Sequence, residues 1–563
     1  MSKIVPVILL AVVIGSFSYL TLTGPGGKVF FTSEYSNFLP ASSTMVFAFN
    51  SPSNTLSKID FEQYPNVSAT MAQQSKFALG FDVTNLDNFK KSGIDLKKPA
   101  GFAMIDMMSR NTLAFVGVND KAKFTEFFTK KILKGKKVTK KNINGVECML
   151  QKGFLPNPKI YCFKDGYFIS YSVDIFKKID IETKFRKDIL GTNNLSSNAV
   201  FKESINKLKN KGDMLFYMDY AKVIQIALAQ ANKMKNPAME NMMKFANDIE
   251  SMALSMDLNG SKFLISTYMK IKENSKLLKM YETDDNCQDL LKRMPTNPLL
   301  CITSIMNAQG TWDFYKKQLN STLSMIPQTK NMGDIDKIFA QAKQMLKQQF
   351  NIDIDIEKDI IKNIKGSSVV TLYDLPLAPT IDFNCVIATK LINPEKMKNI
   401  LITISKAAKQ RKLPVQGENR GQDLLYWVDL KQMMPQSEVT STIGVVGNYL
   451  FIASKKETVD SIIDKQENLL ESIKNKDIKK AFTTGSPNAG YISIGRLISQ
   501  LANIVPGPQR QMLLEITKYT DKLGDLTWVS SVSKSGIQAN MVLNATVNFL
   551  DEIFSMLEKK SKM

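Results

Sequence analysis

Histidine is absent from all 563 residues of this sequence. Its absence excludes imidazole general acid/base catalysis, the Ser-His-Asp and Cys-His nucleophile systems, and nearly all zinc and haem sites. Cysteine is scarce, at five, and no C-x-x-C occurs, which argues against a dithiol redox enzyme or a Cys-zinc site. Glycine (28) and proline (20) are too few for a collagenous or linker-dominated chain. No G-x-G-x-x-G or G-x-S-x-G is present. Gly485 and Gly490 have the G-x-x-x-x-G spacing, but Tyr491 and Ile492 stand where a phosphate-binding loop needs Lys and Ser/Thr, so a simple turn is expected there.

What remains describes a globular protein. Hydrophobic residues make up 44% and charged residues 23%, with a mean hydropathy of -0.14, outside the range of polytopic membrane proteins and of disordered chains. The length suits several domains or two large ones. Lys and Arg number 74 against 53 Asp and Glu, a net charge of +21.

One apolar run stands out. Ile4–Leu22 is free of charges and follows Lys3. As a helix rising about 1.5 Å per residue it matches the bilayer core, which predicts a single-pass anchor with a cytoplasmic N-terminus and export of all that follows. Ser16 and Ser18 also permit cleavage before Tyr19 as a secretory signal. If the segment stays attached, Gly24-Pro25-Gly26-Gly27 is a short tether, and residues 1–28 form an anchor unit.

Export gives the cysteines a meaning. Cys148 and Cys162 lie on strand-like segments, Val146–Gln151 and Lys159–Phe163, that fold back on each other through a turn-rich connection. Cys287 and Cys301 have the same spacing and flank Met294-Pro295; Cys385 is left over. Two local disulfides and one buried thiol are expected, with cysteines as ordinary small hydrophobes the alternative.

Landmarks recur in order along the chain. Thr44–Asn50 after Leu39-Pro40 corresponds to Leu299–Ile305 after Met294-Pro295. Gly93–Asp106 corresponds to Ile352–Asp374, Asp165–Ser172 to Gly447–Ser454, Asp213–Tyr220 to Gly490–Ile494, and Ser251–Tyr268 to Leu526–Leu543. Such ordered recurrence argues for tandem duplication, with lobes at 39–290 and 294–550 and a basic tail at 551–563. Strand pairs around Asp-Gly, Asn-Gly and Ser-Gly are hairpin chemistry. Between them lie helical stretches: Ser68–Leu79, Tyr220–Met234, Ala238–Ser251, Ile335–Phe350, Pro394–Lys409, Lys455–Asn475, Gln509–Asp521 and Val547–Lys559. Antiparallel hairpins with segregated helices make an α+β fold of two lobes.

A signal anchor, a Leu-Pro opening a strand, and G-I-D-L-x-x-P or D-I-E-K-D segments leading into strands, all repeated, resemble a bacterial family of unknown function. Its members are exported, anchored, internally duplicated envelope proteins. The resemblance implies an envelope location and a non-enzymatic fold, and carries no catalytic residue across.

Three clusters remain as candidate chemistry. Asp353, Asp355, Glu357 and Asp359 alternate with Ile and Lys, but Lys358 and Ile364 stand where a calcium loop needs Gly and Glu; a solvated strand face or a helix N-terminal charge cluster is expected. Met234, Met239, Met242, Met243, Met252 and Met256 read as adaptable core or groove lining. Thr129–Asn142 carries Lys130, Lys131, Lys134, Lys136, Lys137, Lys140 and Lys141 without an arginine or an aromatic, a composition unsuited to nucleic-acid recognition and suited to a solubilising edge or to anionic lipid or polymer.

These features predict a non-enzymatic, inner-membrane-anchored periplasmic protein that binds or scaffolds, needs no cofactor, and engages envelope lipid, lipoprotein or an anionic polymer. The alternative is a hydrolase using Ser-Lys or carboxylate chemistry.

Overall fold

The computed structural model describes the chain from Glu34 to Glu558, apart from 108–110, 152–157, 174–179, 210–211, 234–245, 324–333, 376–381, 465–467, much of 506–521 and 546–556, and scattered single positions. The Ile4–Leu22 run and its tether lie outside the described residues, as do Met234, Met239, Met242 and Met243. Among the described residues no helix is long and apolar enough to cross a membrane.

The architecture is α+β and the sheets are antiparallel. The chain divides into two compact units: one gathers the chain to Ala229 with Ile249–Lys270 and the residues from Asn540 onward, and the other holds Gln230–Asp248 and Ile271–Ala539.

The first unit contains β1 (Met45–Phe49), β2 (Ala100–Asp106), β3 (Asn111–Gly117), β4 (Thr139–Ile143), β5 (Val146–Gln151), β6 (Lys159–Lys164), β7 (Tyr167–Ser172), β8 (Met214–Met218), β9 (Ile249–Asn259) and most of β10 (Lys262–Ile271). Their order across the sheet is β9-β8-β1-β2-β3-β7-β6-β5-β4. Local chemistry sets the hairpins. Asn144 (φ 48°) with Gly145 (φ 82°), and Asp165 (φ 52°) with Gly166 (φ 78°), supply the paired left-handed residues of two-residue turns. Alternation then chooses the face: Val46 and Ala48 of β1 point inward with Ala103, Ile105 and Leu113. The helices Ile181–Ile189 and Ala199–Lys207 close that face with Phe185, Phe201 and Ile205. Burying each such side chain contributes about 1.5–3 kcal/mol.

The second unit contains β11 (Leu300–Ile305), β12 (Ile364–Asp374), β13 (Asn384–Leu391), β14 (Val415–Arg420), β15 (Asp423–Asp429), β16 (Thr440–Val446), β17 (Tyr449–Ala453), β18 (Asn488–Ser493) and β19 (Leu523–Ser533); β20 (Gly536–Ala545) is shared between the two residue sets. The order is β19-β18-β11-β12-β13-β17-β16-β15-β14. Adding ten to each strand number of the first unit reproduces this order. The Asp165-Gly166 and Gly447-Asn448 turns occupy the same place in the two orders, joining β6 to β7 and β16 to β17. Val369, Val386, Ala388 and Phe451 form the core with Val459, Ile462 and Phe482. On the opposite face Met397, Ile400 and Leu401 of the helix Pro394–Gln410 cover Leu424, Val445 and Leu450.

Several elements depart from the sequence pattern. Helix was expected over Ala238–Ser251, but β9 begins at Ile249, because Ser251 and Ala253 join the alternating inward face of the first sheet. The expected helix Lys455–Asn475 is instead Lys456–Asp464 and the short Leu469–Ser472, which starts afresh where the Asn468 side chain accepts from Glu471 N–H. Near residues 551–558, Tyr64 donates to the Asp551 carbonyl at 3.0 Å, Phe554 packs on Phe61 and Tyr64, and Glu558 accepts from the Asn66 and Val67 amides at 2.9 Å. A carboxylate there satisfies the orphan amides of the helix Pro65–Leu79 and complements its dipole.

Candidate functional site

The lysine-rich segment is organised by what lies beneath it. Asp120 caps the helix Lys121–Phe127 by accepting from Lys123 N–H, and the chain continues through a wider π-helical turn, Phe128–Leu133, to a stop at Lys134 (φ 47°) and Gly135 (φ 80°). Phe124, Phe128 and Leu133 point down into an aromatic cluster with Tyr161, Phe163 and Phe168. The Phe168 ring lies 4.6 Å from both Phe124 and Phe128, and Phe163 meets it edge-on at 5.2 Å. This apolar floor forces the lysines outward, and all seven of Lys130, Lys131, Lys134, Lys136, Lys137, Lys140 and Lys141 are exposed.

They do not form one patch. Lys130 pairs with Glu126 at 2.7 Å. Lys140 and Lys141 are neighbours on β4 and so point to opposite faces. Lys141 pairs with Glu182 of the helix Ile181–Ile189 at 2.7 Å. Lys131, Lys134, Lys136, Lys137 and Lys140 have no acidic partner among the described residues.

The structure adds a residue that the charge run did not reveal. Lys159, at the start of β6, is half-buried and has no acidic partner among the described residues. Burial first, and then the nearby Lys136 ammonium, push it below the ordinary lysine value. No periodicity in the sequence pointed to Lys159, since its half-burial follows from the pairing of β6 with β5 and β7.

The other candidates resolve differently. Asp353, Asp355, Glu357 and Asp359 do not share a strand face: Asp355 caps the π-helical turn Ile356–Ile360. Each carboxylate meets a lysine, Asp353 with Lys347, Asp355 with Lys343, Glu357 with Lys316 and Asp359 with Lys396. Gly485 (φ 76°) stands in a turn leading into β18. Met256 of β9 is buried. All five cysteines are free thiols, four of them buried and Cys385 half-exposed. Cys148 and Cys162 face each other across β5 and β6. Cys287 instead directs its thiol to the Ser368 carbonyl at 3.4 Å, and burial pushes it up to about 12.

Residues 187–545 match a protein family of unknown function, DUF3352. The chain belongs to this family. The lysine-rich surface and the Cys148–Cys162 pair precede the matched residues. No curated protein matches the chain. Three solved structures of TP0453 show a faint likeness. Crystal form IV is 6% identical with a TM-score of 0.25, covering 43% of this chain and 83% of that one. Crystal form III is 8% identical with a TM-score of 0.24, covering 45% and 85%. Crystal form I is 9% identical with a TM-score of 0.23, covering 50% and 98%. Likeness at this level carries no argument about function.

Proposed function

We propose that this protein is a non-enzymatic binding or scaffold protein of the bacterial envelope. The Ile4–Leu22 run would hold it in the inner membrane with its bulk in the periplasm, and its lysine-rich surface would engage anionic lipid headgroups. The observation that carries the reading is the set of exposed lysines, Lys131, Lys134, Lys136, Lys137 and Lys140, without acidic partners among the described residues. Lysine suits this task, because a mobile ammonium binds a diffuse anionic surface without demanding bidentate geometry. Each lysine near such a surface is worth about 1 kcal/mol, so several acting together give a reversible contact that salt weakens. The shared strand order of the two units supports a second part of the proposal, that they are tandem copies of one ancestral lobe.

Vesicle capture tests the contact. The full chain is reconstituted in phosphatidylcholine vesicles, and capture of a second vesicle population is measured. Vesicles containing phosphatidylglycerol should be captured at low salt and released at high salt. The combined Lys131→Gln, Lys134→Gln, Lys136→Gln and Lys137→Gln chain should capture few. Equal capture of neutral vesicles, or no loss in that variant, would refute the reading.

A further inference from the structure

Hairpin geometry places Cys148 and Cys162 more closely than their sequence spacing alone requires. The two-residue Asn144-Gly145 turn makes Ile143 and Val146 a hydrogen-bonded pair, and hydrogen-bonded and non-hydrogen-bonded pairs then alternate along β4 and β5. Lys141 and Cys148 are therefore hydrogen-bonded, so the backbone groups of Cys148 point at β4. The same counting from the Asp165-Gly166 turn makes Lys164 with Tyr167, and hence Cys162 with Ile169, hydrogen-bonded; the backbone groups of Cys162 point at β7. Both cysteines thus turn their amides away from each other. Cys148 and Cys162, which are register partners, form a non-hydrogen-bonded pair.

In such pairs the Cα atoms are about 4.5 Å apart and the side chains approach most closely. Disulfides bridge Cα atoms roughly 4.4–6.8 Å apart. The two side chains share the inward face and are 3% and 1% exposed. The Cys148 thiol donates to the Val146 carbonyl at 3.4 Å, and its interaction with Cys162 holds it below the ordinary thiol value. Cys287 and Cys301 have no such relation, since the register partners of Cys301 are Thr371 and Tyr491.

We propose that Cys148 and Cys162 are a redox-sensitive pair that closes into a cross-strand disulfide between β5 and β6. The oxidant is a small-molecule or protein disulfide. The Cys148 thiolate attacks one of its sulfurs and expels a thiolate, forming a mixed disulfide. Cys162 gives up its proton and attacks the Cys148 sulfur, expelling the second thiolate. The pair loses two protons and two electrons, and the oxidant leaves as two thiols. The new bond closes the loop of residues 149–161 and braces the strands that carry Lys159 and the register partner of Lys141. The proposal stands independently of any lipid contact.

The test unfolds the full chain in urea and refolds it in glutathione buffers of graded ratio, so that burial of the thiols does not limit oxidation. Non-reducing peptide mapping should find one major linkage, Cys148 to Cys162, with a mass loss of two hydrogens. The thermal midpoint of the oxidised protein should lie about 5–10 °C above that of the reduced protein, as expected for a short closed loop. Cys148→Ser and Cys162→Ala, two variants of different shape, should each remove that difference. Both thiols remaining alkylatable under the most oxidising buffer would overturn the proposal. So would linkage of either cysteine to another partner, or an unchanged midpoint with the bond formed.

Discussion

Asp285 shows how a single buried carboxylate can make stability depend on pH. Its side chain accepts from Lys390 and Ser367, each at 2.7 Å. Burial opposes its ionisation, yet these hydrogen bonds outweigh burial and hold it below the ordinary carboxylate value. A carboxyl depressed in this way contributes stability that is complete above the unfolded value of about 3.9 and lost as pH falls through the lower folded value. Asp285→Asn is therefore expected to cost about 1–3 kcal/mol in urea unfolding at pH 7, with the gap to the parent closing below about pH 4. A gap that held constant down to pH 3 would show that charge is not its source. The thiols give a second prediction at this scale. Burial raises both Cys287 and Cys301, leaving them neutral and enclosed, whereas Cys385 is half-exposed. Timed alkylation of the native protein at pH 8 should label Cys385 well before either of them.

Among the elements, those governed by local rules were legible in the sequence. The helix Ile335–Phe350 has the bounds its apolar stripe predicts, and it ends at Asn351 in the left-handed conformation. The strand Val146–Gln151 and the Asp165-Gly166 turn also stand where alternation and turn chemistry place them. Elements decided by distant partners were not legible. Ile249–Ser251 has a pattern open to helix or strand, and pairing with β8 makes β9 a strand. Lys159 escaped notice for the same reason. Gly366 carries a prediction of this kind. It lies within β12 at φ 129°, where the register with β13 shifts, and a Cβ there would collide with the Met306 carbonyl. Gly366→Ala should cost at least about 2 kcal/mol, read as a lower urea midpoint with an unchanged slope.

At the scale of the whole molecule, the first compact unit depends on residues from both ends of the chain. Glu558 accepts from the Asn66 and Val67 amides, although nearly 500 residues separate them in sequence. Glu558→Ala should destabilise the protein by about 1–2 kcal/mol and, in hydrogen exchange, lower protection at the start of the helix Pro65–Leu79 more than elsewhere. Uniform loss of protection would assign Glu558 no specific role as a cap.

The outermost strands have one more consequence. Among the described residues β4 pairs only with β5, and β14 only with β15, so each presents a row of unpaired amides and carbonyls. Unprotected edges of this kind template growth: a second copy adds its own edge, and a polymer follows. Here both rows are guarded by charge, by Lys140 and Lys141 on β4 and by Glu418 and Arg420 on β14. Lys140 and Lys141 thus keep neighbouring copies of the chain from zipping together along β4, and a polyanion that neutralised them would remove that guard while leaving the one on β14 in place.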